Sequence, residues 1–570
     1  MNTAPPEGQK QPFLARWLPI RDWLPRYPRK ALRGDLIAGV AVTALIVPKN
    51  LGYAGIAGIP LEHGLYAAAA GALIYPLFCT SRQISTGPSS SLAAVAGGAV
   101  LFTGVGAAQA AELVAAITLV TGALFLLMAL FRLGWIARFL SKAVITGFLA
   151  GAAVDVVIGE LPKLTGTSTD GDNAWQELGS WLGSLADTQG TTLLVGVGAL
   201  ALILGLRFAA PAVPGALALV VAGLLASSVL DLGAHGVALV GDVPSGLPVP
   251  AIPGGEVFTT HAATIGIAAA ALLLIGFSQT AGDARAFAVR HRYRIDVNQE
   301  TVAQGMANAG AGLFQGMPVS TSLSASSLNE SAGARTPLAS LATGGLVVLT
   351  LLFLAPLFSD LPKPVLAALI IDAVVFGMID VRELARLRRV ARVDFGIAAA
   401  AIAGVLFAGV LAGVIIGVAL SMVWLVHVAT TPQIPQLGRQ AGTPVFRDVG
   451  EHPGDETYEG VVVLRLDFGL TFATVTALEE RVGELLEAQT ETRAVVLDFA
   501  GVDFIDSQGS EMLSEINRLT RASGGVLRLV RLKSQVRALL ASDGVLSEIG
   551  EDHVHGNVDE ALRAQMGTAG

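Results

Sequence analysis

The sequence has almost no cysteine and little charge. Cys79 is the single cysteine among 570 residues, which excludes an intramolecular disulfide and a cysteine metal cluster. Charged residues make up 14% of the chain, whereas soluble domains hold about a quarter. We find no phosphate-binding glycine loop, nucleophile elbow or intramembrane histidine pair, so the sequence favours neither an enzyme nor an ATP-driven pump. A net charge of −8 gives no reason to expect a nucleic-acid partner, and no cofactor is expected.

Apolar residues dominate the rest of the chain. They make up 53% of it, and the mean hydropathy is +0.63. Runs long enough to cross about 30 Å of hydrocarbon recur between Leu36 and Val428. The N-terminal residues lack the apolar core and cleavage site of a signal peptide, so we expect them to be retained. The sequence therefore predicts a multi-pass membrane protein.

The charge of the connections predicts the orientation. Four connections are basic, namely residues 16–33, 132–142, 285–294 and 382–392, and two are acidic, namely 169–187 and 231–256. The positive-inside rule places the basic connections and both termini in the cytoplasm, with the protein in the plasma membrane. An even number of crossings follows, and we count fourteen: 35–57, 63–79, 88–104, 111–131, 138–160, 191–208, 212–230, 262–284, 298–314, 321–332, 337–358, 363–379, 394–409 and 411–428.

The third and tenth of these crossings are polar and interrupted. The third opens with "STGPSSSLAAVAGG" and the tenth with "GMPVSTSLSASS", and they lie seven crossings apart. Interrupted segments at matching positions of two halves indicate a transporter built from inverted repeats. We therefore predict a seven-plus-seven arrangement in which two half-helix N-termini face each other near the middle of the membrane.

The composition changes after the last crossing. Strand-like and helix-like stretches alternate there, which predicts a cytoplasmic α/β domain of about 110 residues. The predicted organisation is a cytoplasmic N-terminal segment over 1–33, a transmembrane domain over 34–430, a linker over 431–457 and the α/β domain over 458–567.

Several strings together resemble the SulP family of anion transporters. They are "DLIAGVAVTALIVPKNLGYAGIAGIPLEHGLYAA", "SRQISTGP", "VGDVPSGLPVPAIP", "DARAFAVRH" and, in the C-terminal domain, "FIDSQGS". The resemblance implies a polytopic helical fold divided into core and gate domains, followed by a STAS domain related to anti-sigma-factor antagonists. It also implies a homodimer in the lipid bilayer, with the STAS domain available to a cytoplasmic protein partner.

An anion within the membrane needs hydrogen-bond donors and positive charge, because an unpaired ion in hydrocarbon is very costly. Helix N-termini supply both. Pro88 and Pro318 fit helix starts, where a proline loses no needed N–H. The nearby hydroxyls are candidate substrate ligands: Ser89, Ser90, Ser91, Ser322 and Ser324. The alternative is that these small residues only let helices pack closely.

The resemblance assigns further anion contacts to the first crossing. Its motif reads "PKNLGY", so Lys49 stands where the family usually has Gln, and Tyr53 stands at the aromatic position. Many animal members carry Arg after the serine that matches Ser324, and this chain has Ala325 there. We hypothesise that Lys49 supplies the missing charge. The alternative is that Lys49 reaches the membrane interface or pairs with a structural carboxylate.

The eighth crossing differs from bacterial relatives in a second way. Those relatives often carry an acid, tied to Na⁺ or H⁺ coupling, where this chain has Gln279. Asp283 follows one turn later on the same face. Gln279 is therefore a candidate substrate ligand and Asp283 a candidate coupling residue with Na⁺ or H⁺ near it. Asp283 could instead pair with Lys49, or form a surface pair with Arg285.

Other acids fall within predicted gate crossings. They are Asp155, Glu160 and Asp372, and we do not predict them as substrate ligands. Asp155 and Asp372 could line the pathway and steer the anion; burial as neutral acids or pairing with Lys163 is equally compatible with the sequence. In the STAS domain, Ser507 matches the serine that is phosphorylated in anti-sigma-factor antagonists, and Asp506 precedes it. A helix N-cap formed by Asp506 or Ser507 explains the same two residues and is the interpretation we favour.

The leading hypothesis is a secondary active transporter for a small anion. Sulfate, bicarbonate and dicarboxylates all want N–H and O–H donors and a positive field, so the sequence does not separate them. Movement of the core against the gate would carry the anion in an elevator-like manner. The alternatives are an anion channel or voltage-sensitive motor and a STAS-linked anion sensor. Gln279, Ser324 and the STAS domain argue against a nucleobase carrier.

Overall fold

The computed structural model describes residues 18–134, 141–171, 173–210, 213–488 and 493–567, and the side chains of all of these except residues 107 and 108. Parts of some sequence predictions lie outside these ranges. They are residues 1–17 of the N-terminal segment, residues 135–140 with the start of the fifth crossing, residue 212 of the seventh, and residues 489–492 of the STAS domain. The chain divides into two compact units, Met1–Ser421 and Met422–Gly570.

A helix corresponds to each predicted crossing within the described ranges. The long stretch Arg392–Thr430 breaks at Gly409, whose φ of 83° is left-handed, and we call its two parts α13 and α14. By length and composition, eight helical stretches of the described chain could each cross a membrane. The twelve earlier helices that correspond to predicted crossings are α1 Leu32–Ile56, α2 Leu61–Phe78, α3 Ser90–Thr103, α4 Ala107–Leu130, α5 Lys142–Thr165, α6 Gly190–Ala209, α7 Gly215–Leu230, α8 Ala262–Arg290, α9 Val297–Leu313, α10 Leu323–Ser331, α11 Leu338–Leu349 and α12 Lys363–Met378.

The helices pack in two groups. In the first group α9 packs along α4 and α2, and α11 packs along α1 and α2. Helix α8 packs along α4 and α3, and α10 packs along α1, so these helices belong to the same group. In the second group α12 packs against α5 and α6. The α13 backbone also lies close to α5, since a Cβ added at Gly147 would be 2.5 Å from the carbonyl oxygen of Ala398. Helices α1 and α12 are in contact where the two groups meet. This arrangement confirms the predicted membrane fold.

A pair of two-residue strands joins the starts of α3 and α10. Strand β1, Thr86–Gly87, pairs antiparallel with β2, Ser320–Thr321. The prediction that Pro318 starts a helix is wrong. The Asn308 side chain accepts the Val319 N–H at 3.0 Å and donates to the Val319 carbonyl at 2.9 Å, which keeps this segment extended. Helix α10 therefore begins at Leu323.

The C-terminal unit is an α/β fold. Parallel strands β5 Val461–Arg465, β6 Ala494–Asp498, β7 Val526–Val530 and β8 Val554–His555 form its sheet in that order. Helices α15 Val475–Ala488, α16 Ser507–Ala522, α17 Ser534–Ser542, α18 Val545–Ile549 and α19 Val558–Gly567 complete it. The predicted strand–helix alternation is confirmed. The segment predicted as a linker contains an antiparallel pair, β3 Leu437–Arg439 with β4 Phe446–Asp448.

A fully buried carboxylate holds the end of α2 in place. Glu300, on α9, accepts the backbone N–H groups of Thr80 and Ser81 at 2.7 and 2.8 Å. It also accepts the hydroxyls of these two residues at 2.6 and 2.9 Å and the hydroxyl of Tyr75. Glu300 therefore joins two backbone N–H groups and three hydroxyls at the end of α2.

We predict that Glu300→Gln destabilises the protein. The amide would turn its own N–H donor toward N–H and O–H donors and leave buried groups unpaired, at a cost of about 1–3 kcal/mol or more. Thermal unfolding of the purified protein in detergent should show a lower melting temperature. The matched control is Glu256→Gln, at an exposed glutamate, which should change little. Equal melting temperatures for the two variants would contradict this role of Glu300.

Candidate functional site

The starts of α3 and α10 are capped by serines. Ser89 is the N-cap of α3 and accepts the N–H of Leu92, and Ser322 is the N-cap of α10 and accepts the N–H of Ala325. Strands β1 and β2 place these two starts side by side, and the Ser322 N–H donates to the Ser85 carbonyl at 3.0 Å. Two helix N-termini with their partial positive charges thus lie at one place in the unit Met1–Ser421.

Gln279, on α8, bridges the two starts. Its Nε2 donates to Ser91 Oγ at 3.1 Å, and its Oε1 accepts the hydroxyl of Ser320. Ser91 Oγ is also 3.1 Å from Ser89 Oγ. Both polar ends of the Gln279 side chain are therefore engaged in holding α3 and β2 together. The geometry gives this residue a positioning role, and its role as a substrate ligand stays a prediction.

A narrow cavity of about 20 Å³ lies between α1, β1 and α10. Four of the eight predicted substrate ligands line it, namely Lys49, Tyr53, Ser322 and Ser324. Ser89, Ser90, Ser91 and Gln279 are not among its lining residues. Ser90 is buried and its Oγ lies 3.6 Å from where a Cβ at Gly377 of α12 would be. A volume this small holds about one water, so a larger anion requires the walls to separate.

Two further polar residues line this cavity that the sequence analysis missed. Asn50 and Thr86 are each 2% exposed. Among the residues that the structure describes, Asn50 Nδ2 and Thr86 Oγ1 have no hydrogen-bond partner. A buried donor without a partner costs free energy, and a bound anion would recover this free energy by accepting a hydrogen bond from the donor. The only sequence signal was their position, since Asn50 follows Lys49 and Thr86 precedes the Gly-Pro break.

A wider cleft of about 520 Å³ begins at Lys49 and extends to the second helix group. Arg207 of α6 and Asp372 of α12 line its far side. They form a two-pronged ion pair, with Nε–Oδ1 and Nη2–Oδ2 distances of 2.8 and 2.6 Å, and the guanidinium lies 4.2 Å from the Phe376 ring centroid. Lys49 has no ion pair within the described chain, so the formal charges of Lys49, Arg207 and Asp372 sum to +1.

Asp283, on α8, lies one turn beyond Gln279 and faces the same strand. Its Oδ2 accepts the hydroxyl of Thr321 at 2.8 Å. The described residues show no ion pair of Asp283 with Lys49 or with Arg285, so both pairings that the sequence left open are wrong for this structure. The carboxylate is half-buried beside β2. Its coupling role stays a prediction.

The remaining predicted residues lie elsewhere. Glu160 pairs with Lys163 at 2.6 Å within α5, and Asp155 lies one turn earlier on that helix. In the C-terminal unit Asp506 is the N-cap of α16, where it accepts the Gly509 N–H at 2.8 Å and the Phe472 N–H at 2.9 Å. Ser507 is the exposed first residue of that helix. Phosphorylation of Ser507 stays a prediction.

Two adjacent helix starts, buried donors without a partner and a lysine without an ion pair, all among the described residues of a multi-helix membrane unit, define a class of protein, a membrane transporter of anions. The model of the sulfate permease family matches residues 32–401, and the STAS domain model matches residues 452–561. The chain belongs to the sulfate permease family.

Similar proteins cover nearly the whole chain. A probable sulfate transporter of Mycobacterium tuberculosis is 34% identical over 96% of this chain and 98% of its own length. Sulfate transporter 3.1 of Arabidopsis thaliana is 29% identical over 97% of this chain and 87% of its own length. The fold is similar to that of the murine Solute Carrier 26 family member A9 anion transporter, with a TM-score of 0.87, 21% identity and coverage of 99% and 96% of the two chains. The transmembrane domain of the cyanobacterial bicarbonate transporter BicA gives a TM-score of 0.57 at 20% identity, covering 69% of this chain and 98% of that domain.

The Arg207–Asp372 pair yields a double-mutant prediction. Arg207→Gln leaves the Asp372 carboxylate uncompensated in the cleft, where it repels an incoming anion. With radiolabelled sulfate as the probe in proteoliposomes, we expect the apparent affinity to fall about tenfold, equivalent to about 1.4 kcal/mol. The double variant Arg207→Gln/Asp372→Asn removes both charges and should recover most of the loss. A double variant as impaired as the single one would contradict the electrostatic explanation.

Proposed function

We propose that this protein is a secondary active transporter that carries sulfate across the plasma membrane. Anion transport is the activity of its family, and the sulfate assignment is supported by the names of the relatives that match the chain over most of its length. The observation that carries the proposal is the cavity at the two half-helix starts. It combines a lysine, serine hydroxyls and two buried unpaired donors, and we infer that the anion binds there.

The chemistry of this cavity suits a tetrahedral oxyanion. Sulfate presents oxygen acceptors in several directions, and the donors here come from three elements, α1, β1 and α10. Lys49 compensates one of the two sulfate charges, and the two helix N-termini contribute partial positive charge to the other. Bicarbonate and dicarboxylates also bind by accepting hydrogen bonds from such donors, and they are therefore the competitors in the uptake assays below.

Transport requires the anion to enter the narrow cavity from one side of the membrane and to leave it on the other. We infer that the first helix group, with α1, α3, α8 and α10, moves as a core against the second group in an elevator-like manner. The cavity walls belong to the first group, whereas Arg207 and Asp372 belong to the second. The proposal includes cytoplasmic termini, a homodimer, and a regulatory role for the STAS domain through Ser507 or a cytoplasmic protein partner.

The substitution Lys49→Gln tests the site. Removing the charge should weaken the apparent affinity for sulfate at least tenfold, about 1.4 kcal/mol, while the protein stays folded. Lys30→Gln is the matched control, at an exposed lysine that lies outside the cavity. Isotope uptake at graded sulfate concentrations, with bicarbonate and dicarboxylates as competitors, measures both variants. Unchanged uptake and affinity in Lys49→Gln would show that the charge has another purpose.

Coupling is tested at Asp283. We propose that Asp283, beside Thr321, takes part in coupling transport to Na⁺ or H⁺, and Asp283→Asn keeps its shape while removing its charge. Uptake by the wild-type protein should depend on a Na⁺ or pH gradient, and the variant should lose that dependence. Asp296→Asn, at an exposed aspartate outside the site, serves as the control. A variant whose Na⁺ and pH dependence both match those of the wild type rules out a coupling role.

The channel and sensor alternatives differ in flux. A secondary transporter accumulates sulfate against its gradient when a coupling ion or counter-anion gradient is imposed, whereas a channel only dissipates gradients. Proteoliposomes with imposed Na⁺, H⁺ and counter-anion gradients distinguish the two. A sensor with vestigial transport would bind sulfate without flux under any of these conditions.

A further inference from the structure

A second basic cavity lies at the end of the transport unit where α1 begins and α2 ends. Its volume is about 510 Å³, within the range of small-molecule sites, which is about 300–1,000 Å³. Three arginines line it, Arg26, Arg82 and Arg335, together with one carboxylate, Asp22. The four charges sum to +2. Lys49 and the half-helix starts are not part of this cavity.

The three guanidinium groups are free to bind a ligand. Within the described chain none of them has an ion pair, although the remaining charged residues form many. Arg82 lies over the Tyr293 ring at 5.0 Å, which limits its orientations without neutralising its charge. The indole Nε1 of Trp23, which also lines the cavity, is buried without a hydrogen-bond partner among the described residues. It is a further donor that a bound acceptor would satisfy.

Two buried carboxylates hold the cavity walls next to these arginines. Glu300 binds the N–H groups of Thr80 and Ser81, directly before Arg82. Asp35 accepts the N–H of Arg335 at 2.7 Å and the hydroxyl of Tyr27 at 3.0 Å, directly after Arg26. The cavity walls are thus held by backbone and hydroxyl hydrogen bonds, and the arginine side chains are not needed for that purpose.

The hydrogen bond between Tyr27 and Asp35 persists at neutral pH. Burial and the neighbouring Asp35 carboxylate raise the pKa of Tyr27 to about 12. The Tyr27 hydroxyl therefore remains a donor to Asp35 under ordinary conditions. The geometry of the cavity is set before a ligand arrives, which lowers the entropic cost of binding.

We propose that this cavity binds a phosphate group, either that of an anionic phospholipid or that of a soluble phosphate. Planar guanidinium groups match phosphate oxygens with paired hydrogen bonds. A basic cavity at the cytoplasmic end of membrane helices suits lipid headgroups. Exposed apolar side chains at Leu32, Leu36 and Val40, one turn apart, follow the cavity along α1 and offer a surface for acyl chains. This proposal is independent of the transported anion.

The test uses the purified full-length protein, stripped of lipid, in a buffer free of sulfate and phosphate. Phosphatidylglycerol, phosphatidylcholine and inorganic phosphate are added separately, and the melting temperature and the lipid retained in native mass spectra are measured. The variant is Arg82→Gln/Arg335→Gln. The matched control is Arg388→Gln, at an exposed arginine that does not line the cavity.

We expect phosphatidylglycerol to raise the melting temperature of the wild-type and control proteins, and the double variant to bind it about tenfold more weakly or worse. Phosphatidylcholine should have little effect.

If inorganic phosphate alone gives the same variant-dependent rise, the ligand is a soluble phosphate; if only phosphatidylglycerol does, it is a lipid. Should the double variant be unstable, Arg26→Gln carries the same test, since the Arg26 backbone is held by neither carboxylate. Equal effects in variant and wild type, or an equal effect of phosphatidylcholine, would overturn the proposal.

Discussion

The antiparallel pairing of Thr86–Gly87 with Ser320–Thr321 is the interaction on which the site depends. These strands are only two residues long, and they join segments that are more than 230 residues apart in the chain. They leave the N-termini of α3 and α10 side by side. Asn308 binds Val319, directly before β2, and Gln279 binds Ser320 within β2. These hydrogen bonds explain why a helical membrane unit contains extended backbone at this point.

Polar groups near this pairing divide into those that hold the structure and those that are free. Gln279 binds both Ser91 and Ser320, and Thr321 binds Asp283. Asn50 and Thr86, by contrast, have no partner within the described residues, although both are buried. Both of these unsatisfied donors line the cavity between α1, β1 and α10. The same division separates Arg207, neutralised by Asp372, from Lys49.

The sequence predicted the parts of this site that depend on local chemistry. A helix start beside the Gly87–Pro88 break was predicted, and Lys49 was visible as a charge within an apolar run. Ser89 and Ser322 were predicted as hydroxyl ligands, and their role as helix caps was not predicted. The spacing of Gln279 and Asp283 correctly placed them on one face, since their side chains bind adjacent residues of β2. Pro318 was misread because the side chain of Asn308, on another helix, keeps the next residue extended. Arg207 and Asp372 are 165 residues apart, and a single sequence gives no signal that joins them.

The location of Lys49 on α1, in the same helix group as the cavity walls, also divides the electrical work of transport between two steps. Sulfate entering a cell moves against an inside-negative membrane potential, at about 2.3 kcal/mol per charge for each 100 mV. A divalent anion alone would require about twice that amount in one step. In the elevator-like movement that we propose, the lysine travels with the ion, so the loaded step carries one net negative charge inward and the empty step returns one positive charge outward. Each step then carries half of the electrical work, and the total for one sulfate is unchanged.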